Sequence, residues 1–197
     1  MKETSSSIFR QHGGRLRMSE ALRSGITRYR LYALLDKGII ERVSRGVYQL
    51  ADLPPISDPD LVTVGLRLPE AVVCLVSALA FHEITTQIPH AVSVAIPKNS
   101  RVPSLDHPPI DVHKFSPEAY AAGIGTHEID GVRVQVYTPG KTLADCFKFR
   151  SQLGMDIVLE ALRLYRSRMR FDHKSLLHYA RICRVEKVMR PYLEAVA

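Results

Sequence analysis

Short apolar runs, separated by glycines and helix-capping residues, occupy the first fifty positions of the chain. Their spacing predicts six elements, at residues 5–11, 16–18, 19–24, 27–37, 39–43 and 47–50. In chain order these are a helix, a strand, two helices and the two arms of a hairpin, with a short glycine-containing turn at 24–26 between the second and third helices. This order is typical of a winged helix-turn-helix domain.

The third predicted helix carries different chemistry on its two faces. On a helical wheel of about 100° per residue, Leu31, Leu34 and Leu35 share one side and are expected to face the core. Exposed positions at the N-terminal end hold an Arg-Tyr-Arg sequence at 28–30. A recognition helix meets bases and phosphates at this end, and arginine can hydrogen-bond both.

The predicted hairpin adds two further cations. Arg45 lies in the turn Ser44-Arg45-Gly46, and Arg42 lies on the first arm. Both are placed to reach a neighbouring DNA backbone or minor groove. The alternative is a solvated charged face beside a wing that packs only locally.

A stretch rich in proline and aspartate, ADLPPISDPD at 51–60, favours a domain boundary. The expected division is a winged-helix domain at 1–53, a linker at 54–60 and a second domain at 61–197. In the second domain, strand-like alternation surrounds Asp130-Gly131, a strong hairpin signal, and helical spacing dominates after Pro139. The predicted fold class is therefore α+β, with an N-terminal winged helix-turn-helix followed by a mixed α+β domain that ends in helices.

The net charge of +7 is distributed unevenly along the chain. Residues 1–53 carry +5, residues 54–140 carry −4 and residues 141–197 carry +6. A basic head and a basic tail around an acidic middle indicate at least two functional surfaces.

Compartment and membrane association follow from composition. No apolar run approaches the roughly 18–20 residues that cross a bilayer, and the N-terminus lacks an apolar signal core. The three cysteines are widely separated and lie in apolar surroundings, which favours reduced thiols over disulfides. The sequence thus predicts a cytoplasmic protein without a membrane partner.

Enzymatic chemistry finds little support in the sequence. A restriction-type nuclease needs clustered carboxylates and a lysine two residues after one of them, and the strand at 132–137 lacks this pattern. His107, Asp111 and His113 are interpreted as structural because no fourth metal donor accompanies them. We therefore expect no catalytic residue, no metal and no cofactor.

Four segments of the second domain, taken with the N-terminal module, resemble one known family. They are ALAFHEIT (78–85), VSVAIPKNSRVP (92–103), HKFSPEAY (113–120) and TPGKTLADCFKFR (138–150). In order and spacing they resemble AbiEi-type antitoxins, the transcriptional regulators of type IV toxin–antitoxin and abortive-infection systems. The resemblance covers nearly the whole chain.

This resemblance implies two activities. The N-terminal domain would bind inverted repeats in the double-stranded DNA operator upstream of its own operon and repress it, with self-association on DNA. The second domain would counteract a co-encoded nucleotidyltransferase-like toxin without requiring a stable complex. By position, the implied DNA-binding residues are Thr27, Arg28, Tyr29, Arg30, Arg42 and Arg45, with Arg15 and Arg17 as secondary phosphate contacts.

The candidates for antitoxicity are Asp145 and the arginines Arg163, Arg166 and Arg170. An ion pair with Lys141 or Lys148 is the alternative for Asp145. A solvated helix face, or a DNA contact, is the alternative for the arginines. Two other functions also remain open, namely an antitoxin that binds its toxin directly and a regulator with an enzymatic C-terminal domain.

Overall fold

The computed structural model describes residues 5–196, which contain eleven helices and eight strands. The predicted α+β class is confirmed. The chain divides into two compact units. The first unit runs to Pro69 and also includes Leu105–Pro108 and His127–Val134, and the remaining residues form the second unit.

The first unit contains the predicted winged-helix elements in the predicted order. They are α1 (Ser5–Gln11), β1 (Arg15–Arg17), α2 (Met18–Arg23), α3 (Arg28–Asp36), β2 (Ile40–Ser44), β3 (Val47–Leu50) and the additional helix α4 (Pro59–Arg67). The strands form an antiparallel sheet in the order β1-β3-β2, with a bulge between Arg42 and Ser44. Phe9, Leu16 and Leu31 are among the fully buried side chains that hold α1, β1 and α3 together.

Helix α4 explains why the first unit is longer than the expected 1–53. Asp58 caps this helix by accepting a hydrogen bond from the Leu61 backbone N–H at 2.9 Å, and Pro59 occupies its first turn. Gly65 permits a close approach, because a Cβ there would lie 2.7 Å from the Arg133 carbonyl oxygen. The expected linker at 54–60 therefore leads into a helix that packs within the same unit, and the contact boundary lies between Pro69 and Glu70.

The rest of the described chain contains a five-stranded sheet and seven helices. Its elements are β4 (Val72–Val73), α5 (Leu75–Phe81), β5 (Val92–Pro97), β6 (Ile110–Phe115), α6 (Pro117–Ala121), β7 (Ile124–Ile129), β8 (Val132–Tyr137), α7 (Pro139–Lys148), α8 (Arg150–Leu153), α9 (Met155–Arg168), α10 (His173–Ile182) and α11 (Glu186–Val196). The strand order is β6-β5-β4-β8-β7, with parallel β5/β6 and β4/β8 pairs. The hairpin predicted at Asp130-Gly131 is confirmed. Within residues 5–196, none of the helices combines the length and apolar character needed to span a bilayer.

Helix α7 lies at the centre of the second core and buries an ion pair there. Lys141 and Asp145 are fully buried, and Lys141 Nζ lies 2.5 Å from Asp145 Oδ2. The Cys183 thiol donates to Asp145 Oδ1 at 3.2 Å, and the Lys141 ammonium lies 3.9 Å from the ring centroid of Tyr137. Burial raises the pKa of Asp145, and Lys141 opposes this shift. The burial of each of these two charges is therefore stabilised by the other.

Replacing Lys141 by methionine should destabilise the fold strongly. The substitution leaves a buried carboxylate without its cation, which costs about 3–5 kcal/mol in the free energy of unfolding. Urea unfolding monitored by circular dichroism measures this loss, and the exposed Lys148 of the same helix supplies the matched control, Lys148→Met, with an expected change of about 0.5 kcal/mol or less. The double variant Lys141→Met/Asp145→Leu should recover most of the loss. Equal stability of the Lys141→Met and Lys148→Met proteins would contradict the role assigned to the pair.

Candidate nucleic-acid interface

The first turn of α3 presents its polar side chains to solvent. Thr27 caps the helix, and its hydroxyl accepts a hydrogen bond from the Arg30 backbone N–H at 3.3 Å. Leu31 is fully buried and fixes the inner face. Arg28, Tyr29 and Arg30 are all exposed, with Tyr29 83% accessible. The outward projection of Arg28 and Arg30, on which the DNA-binding hypothesis depends, is therefore present in the structure.

The electrostatic environment of this turn is cationic. The first turn of α3 contains no acidic residue. Within residues 5–196, no carboxylate forms an ion pair with Arg28 or Arg30. Both guanidinium groups thus keep their hydrogen-bond donors available to an anion or a base edge.

The hairpin β2–β3 forms the wing. Gly46 adopts a left-handed backbone (φ +74°), which allows the tight turn after Arg45. Arg45 is exposed and donates to Asp106 of the first unit at 2.6 Å, in a pair whose side chains are 75% and 67% accessible. Such an exposed ion pair is worth about 0–1 kcal/mol, so a phosphate can replace the carboxylate at little cost. Arg42 is also exposed, and its Nε donates to the Ser44 carbonyl at 3.3 Å.

One predicted phosphate contact does not fit the structure. Arg15 is only 6% exposed, and its guanidinium donates to the Gln49 side chain at 3.0 Å and to the Asp130 carbonyl. The prediction of Arg15 as a phosphate contact is therefore wrong, because this side chain is used inside the first unit.

Arg17 stays a candidate, and the structure adds Arg67 beside it. Arg17 is half-buried, and burial lowers its pKa; the charge of Glu20 opposes this shift, whereas Arg67 and Arg23 add to it. Arg67 at the end of α4 donates through Nη1 to the Arg45 carbonyl of the wing. Sequence reasoning missed Arg67 because it lies beyond the expected linker and outside any recognisable DNA-binding pattern. The sequence feature that could have indicated Arg67 is its position at the end of an apolar helical segment.

The N-terminal segment that contains α3 and the wing is similar to a known protein family. Residues 5–51 match the family described as transcriptional regulator, AbiEi antitoxin. The winged-helix segment is therefore similar to that of AbiEi antitoxins. The resemblance predicted from the sequence is thereby confirmed over this segment, while residues 52–197 lie outside the AbiEi match.

The whole chain also resembles a solved structure. The crystal structure of the RV2827C protein from Mycobacterium tuberculosis superposes with a TM-score of 0.50 at 12% sequence identity. The match covers 96% of this chain and 79% of the other. At this identity the likeness concerns the fold alone. No curated protein sequence gives a significant match.

Outside the AbiEi match, the candidates for antitoxicity fall into two groups. Asp145 is fully buried and paired with Lys141, so the alternative ion pair is present and Asp145 offers no accessible surface to a partner. In contrast, Arg163, Arg166 and Arg170 are exposed along the C-terminal part of α9 and just beyond it. Arg163 and Arg166 lie outside the buried stripe of the helix, which comprises Val158, Ala161, Leu162 and Tyr165, and Arg170 follows the end of the helix.

The histidines and cysteines that could ligate a metal or act as nucleophiles make contacts typical of structural residues. His107 approaches Asp60 at 3.7 Å, whereas the ring of His113 packs edge-on against Phe149 at 5.3 Å, and burial lowers the pKa of His113. The cysteines Cys74, Cys146 and Cys183 are free and buried, and burial raises the pKa of each thiol. No group of three or more His, Cys, Asp or Glu side chains within residues 5–196 is arranged to hold a metal ion.

Proposed function

We propose that this protein is a sequence-specific DNA-binding autorepressor and the antitoxin of a type IV toxin–antitoxin system. The observation that carries the proposal is the capped first turn of α3, whose Arg28, Tyr29 and Arg30 project into solvent from a domain of the AbiEi regulator type. The wing supplies Arg42 and Arg45 next in the chain, in the same unit. These are the parts by which a winged helix binds a duplex.

At the operator, the two kinds of contact have different roles. Arg28 and Arg30 are proposed to read base edges in the major groove, because a guanidinium forms two parallel hydrogen bonds with guanine O6 and N7. Arg42 and Arg45 are proposed to contact phosphates or the minor groove, which sets the position of the protein without reading sequence. On binding, Arg45 would exchange Asp106 for a phosphate.

Two copies are proposed to bind together. One winged helix covers only a small site, whereas inverted repeats offer two equivalent half-sites about one helical turn, or a multiple of it, apart. Binding of a second copy on DNA would supply the affinity that one copy lacks.

The antitoxin activity is proposed to lie in the second unit and to act on a nucleotidyltransferase-like toxin encoded beside this gene. The exposed arginines Arg163, Arg166 and Arg170 are the proposed contact residues. Their guanidinium groups suit an acidic or phosphate-bearing partner. A stable complex with the toxin is not required.

Removing either arginine of the α3 turn should weaken specific binding. Arg28→Ala and Arg30→Ala are each expected to cost about 1–3 kcal/mol in binding free energy to the DNA upstream of the gene, with a smaller loss on a scrambled duplex. Fluorescence anisotropy titration measures both. Lys37→Ala, an exposed cation at the opposite end of the same helix, is the charge-matched control. Arg28→Ala and Arg30→Ala proteins that bind like the Lys37→Ala protein would refute the assignment of α3 as the reading helix.

Binding should also weaken steeply with salt, because each phosphate contact releases condensed counterions. If two bound copies together contact about six phosphates, affinity should fall about 10³-fold between about 50 and 200 mM salt. Titrations across this range give the slope of log affinity against log salt. A slope near zero would mean that the basic surface of the first unit faces a partner other than nucleic acid.

Charge removal on α9 should separate the two activities. The triple variant Arg163→Ala/Arg166→Ala/Arg170→Ala is expected to lose rescue of growth when co-expressed with the neighbouring gene product, while it keeps operator affinity. The paired variant Arg28→Ala/Arg30→Ala should show the reverse. A triple control removes the same charge from exposed positions of the second unit, at Lys98, Arg101 and Lys174.

Two outcomes of this experiment decide against parts of the proposal. Full rescue by the α9 variant would exclude these arginines from antitoxicity. Co-purification of the two proteins at micromolar concentration would instead favour an antitoxin that binds its toxin directly.

A further inference from the structure

A shallow depression of about 370 Å³ lies where three elements of the first unit meet. The start of α2, the wing turn at Gly46 and the end of α4 form its walls, and Arg28 of α3 also borders it. Three arginines line this space, namely Arg17, Arg28 and Arg67, and its remaining lining residues are uncharged.

In the described part of the chain, the arginines that line the depression have no ion-pair partner, although the charge of Glu20 raises the pKa of Arg17. Within residues 5–196, no carboxylate forms an ion pair with Arg17, Arg28 or Arg67. The Glu20 carboxylate accepts a hydrogen bond from the Arg17 backbone N–H at 3.1 Å. The Nε of Arg17 is buried without a hydrogen-bond partner. Like charges gathered in this way repel one another unless an anion binds between them.

Two backbone contacts fix the walls of the depression. The Met18 N–H donates to the Gly46 carbonyl at 2.8 Å, which joins the start of α2 to the wing turn. Arg67 Nη1 donates to the Arg45 carbonyl, and it lies 3.6 Å from the position that a Cβ on Gly46 would take. The Arg67 guanidinium is therefore held at the wing and keeps its other N–H groups for a ligand.

We propose that this depression binds one phosphate of the operator backbone, and that Arg67 and Arg17 contact this phosphate. Arg17 precedes the wing in the chain, and Arg67 follows it. The proposal rests on the proposed function. A planar guanidinium binds phosphate oxygens through two parallel hydrogen bonds, and two such groups match a phosphodiester that carries a single charge but several acceptor oxygens.

The position of Arg28 favours a DNA phosphate over a free anion. Arg28 borders the depression and also starts the helix that is proposed to enter the major groove. A phosphate held here is therefore adjacent to the bases that α3 would read. A small anion bound alone would not need this adjacency.

The test uses the full chain and a duplex with the sequence upstream of the gene. Arg67→Gln and Arg17→Gln should each lower affinity about 10-fold, by the same factor for the upstream duplex and a scrambled one, and should reduce the salt slope by about 1. Arg10→Gln removes the same charge from an exposed arginine of the same unit that pairs with Asp52, and it should change little. Arg67→Lys keeps the charge and should retain the salt slope with a smaller loss of affinity.

A second measurement separates phosphate contact from a merely structural role of Arg67. Neutral methylphosphonates are placed at one backbone position of the duplex at a time. One position should weaken the wild-type protein about 10-fold but leave the affinity of the Arg67→Gln protein unchanged, because the contact is already absent. If Arg67 only supports the wing, every position will affect both proteins equally, and the proposal is overturned.

The outcomes also separate this inference from the function on which it rests. A wild-type protein without salt-dependent DNA binding overturns both. This inference alone is overturned if the wild type binds DNA and Arg28→Ala weakens that binding, but the Arg67→Gln protein binds as tightly as the Arg10→Gln protein. Thermal stabilisation of the wild type by inorganic phosphate, lost in Arg67→Gln while DNA affinity is unchanged, would show a free-anion site and likewise overturn it.

Discussion

Two carbonyl groups of the wing turn hold the cationic surface of the first unit in place. The Gly46 carbonyl accepts from the Met18 N–H at the start of α2, and the Arg45 carbonyl accepts from the Arg67 guanidinium at the end of α4. Gly46 has a left-handed backbone, which glycine adopts without the strain that other residues would incur. The two hydrogen bonds therefore connect the segments that carry Arg17, Arg45 and Arg67. The proposed phosphate contacts of Arg17 and Arg67 depend on these connections.

Buried and exposed charges are treated differently in this protein, and the difference identifies the candidate interface. Lys141 and Asp145 are inaccessible and satisfy each other, and the buried Arg15 donates to Gln49 and to a backbone carbonyl. By contrast, Arg28 and Arg30 are exposed and form no ion pair within residues 5–196. Burial makes a partner obligatory, whereas an exposed arginine without a partner stays available to an external ligand.

Helix-capping residues and glycines at turns made much of the first unit predictable from the sequence. Thr27, Gly38 and Gly46 mark the ends of α3 and the wing turn, and the structure places each element where these residues predict it. Burial of polar residues was harder to foresee. A strand of three residues such as β1 shows no usable alternation, so the inward direction of Arg15 left no signal. A Lys-x-x-x-Asp pair such as Lys141 and Asp145 is equally compatible with an exposed or a buried helix face. Only tertiary packing decides between them.

The same limit applies to the extent of the first unit. A proline-rich stretch signals a break in regular structure, but it does not tell whether the next helix returns to the preceding core. Here Ser57 donates through its backbone N–H and its hydroxyl to Asp130 at 2.8 Å, and α4 then packs against the strand that contains Arg133. A fragment that ends at residue 53 would keep α3 and the wing but lose Arg67, the side chain that donates to the Arg45 carbonyl. The segment that matches the AbiEi family is therefore shorter than the unit that keeps its wing in place.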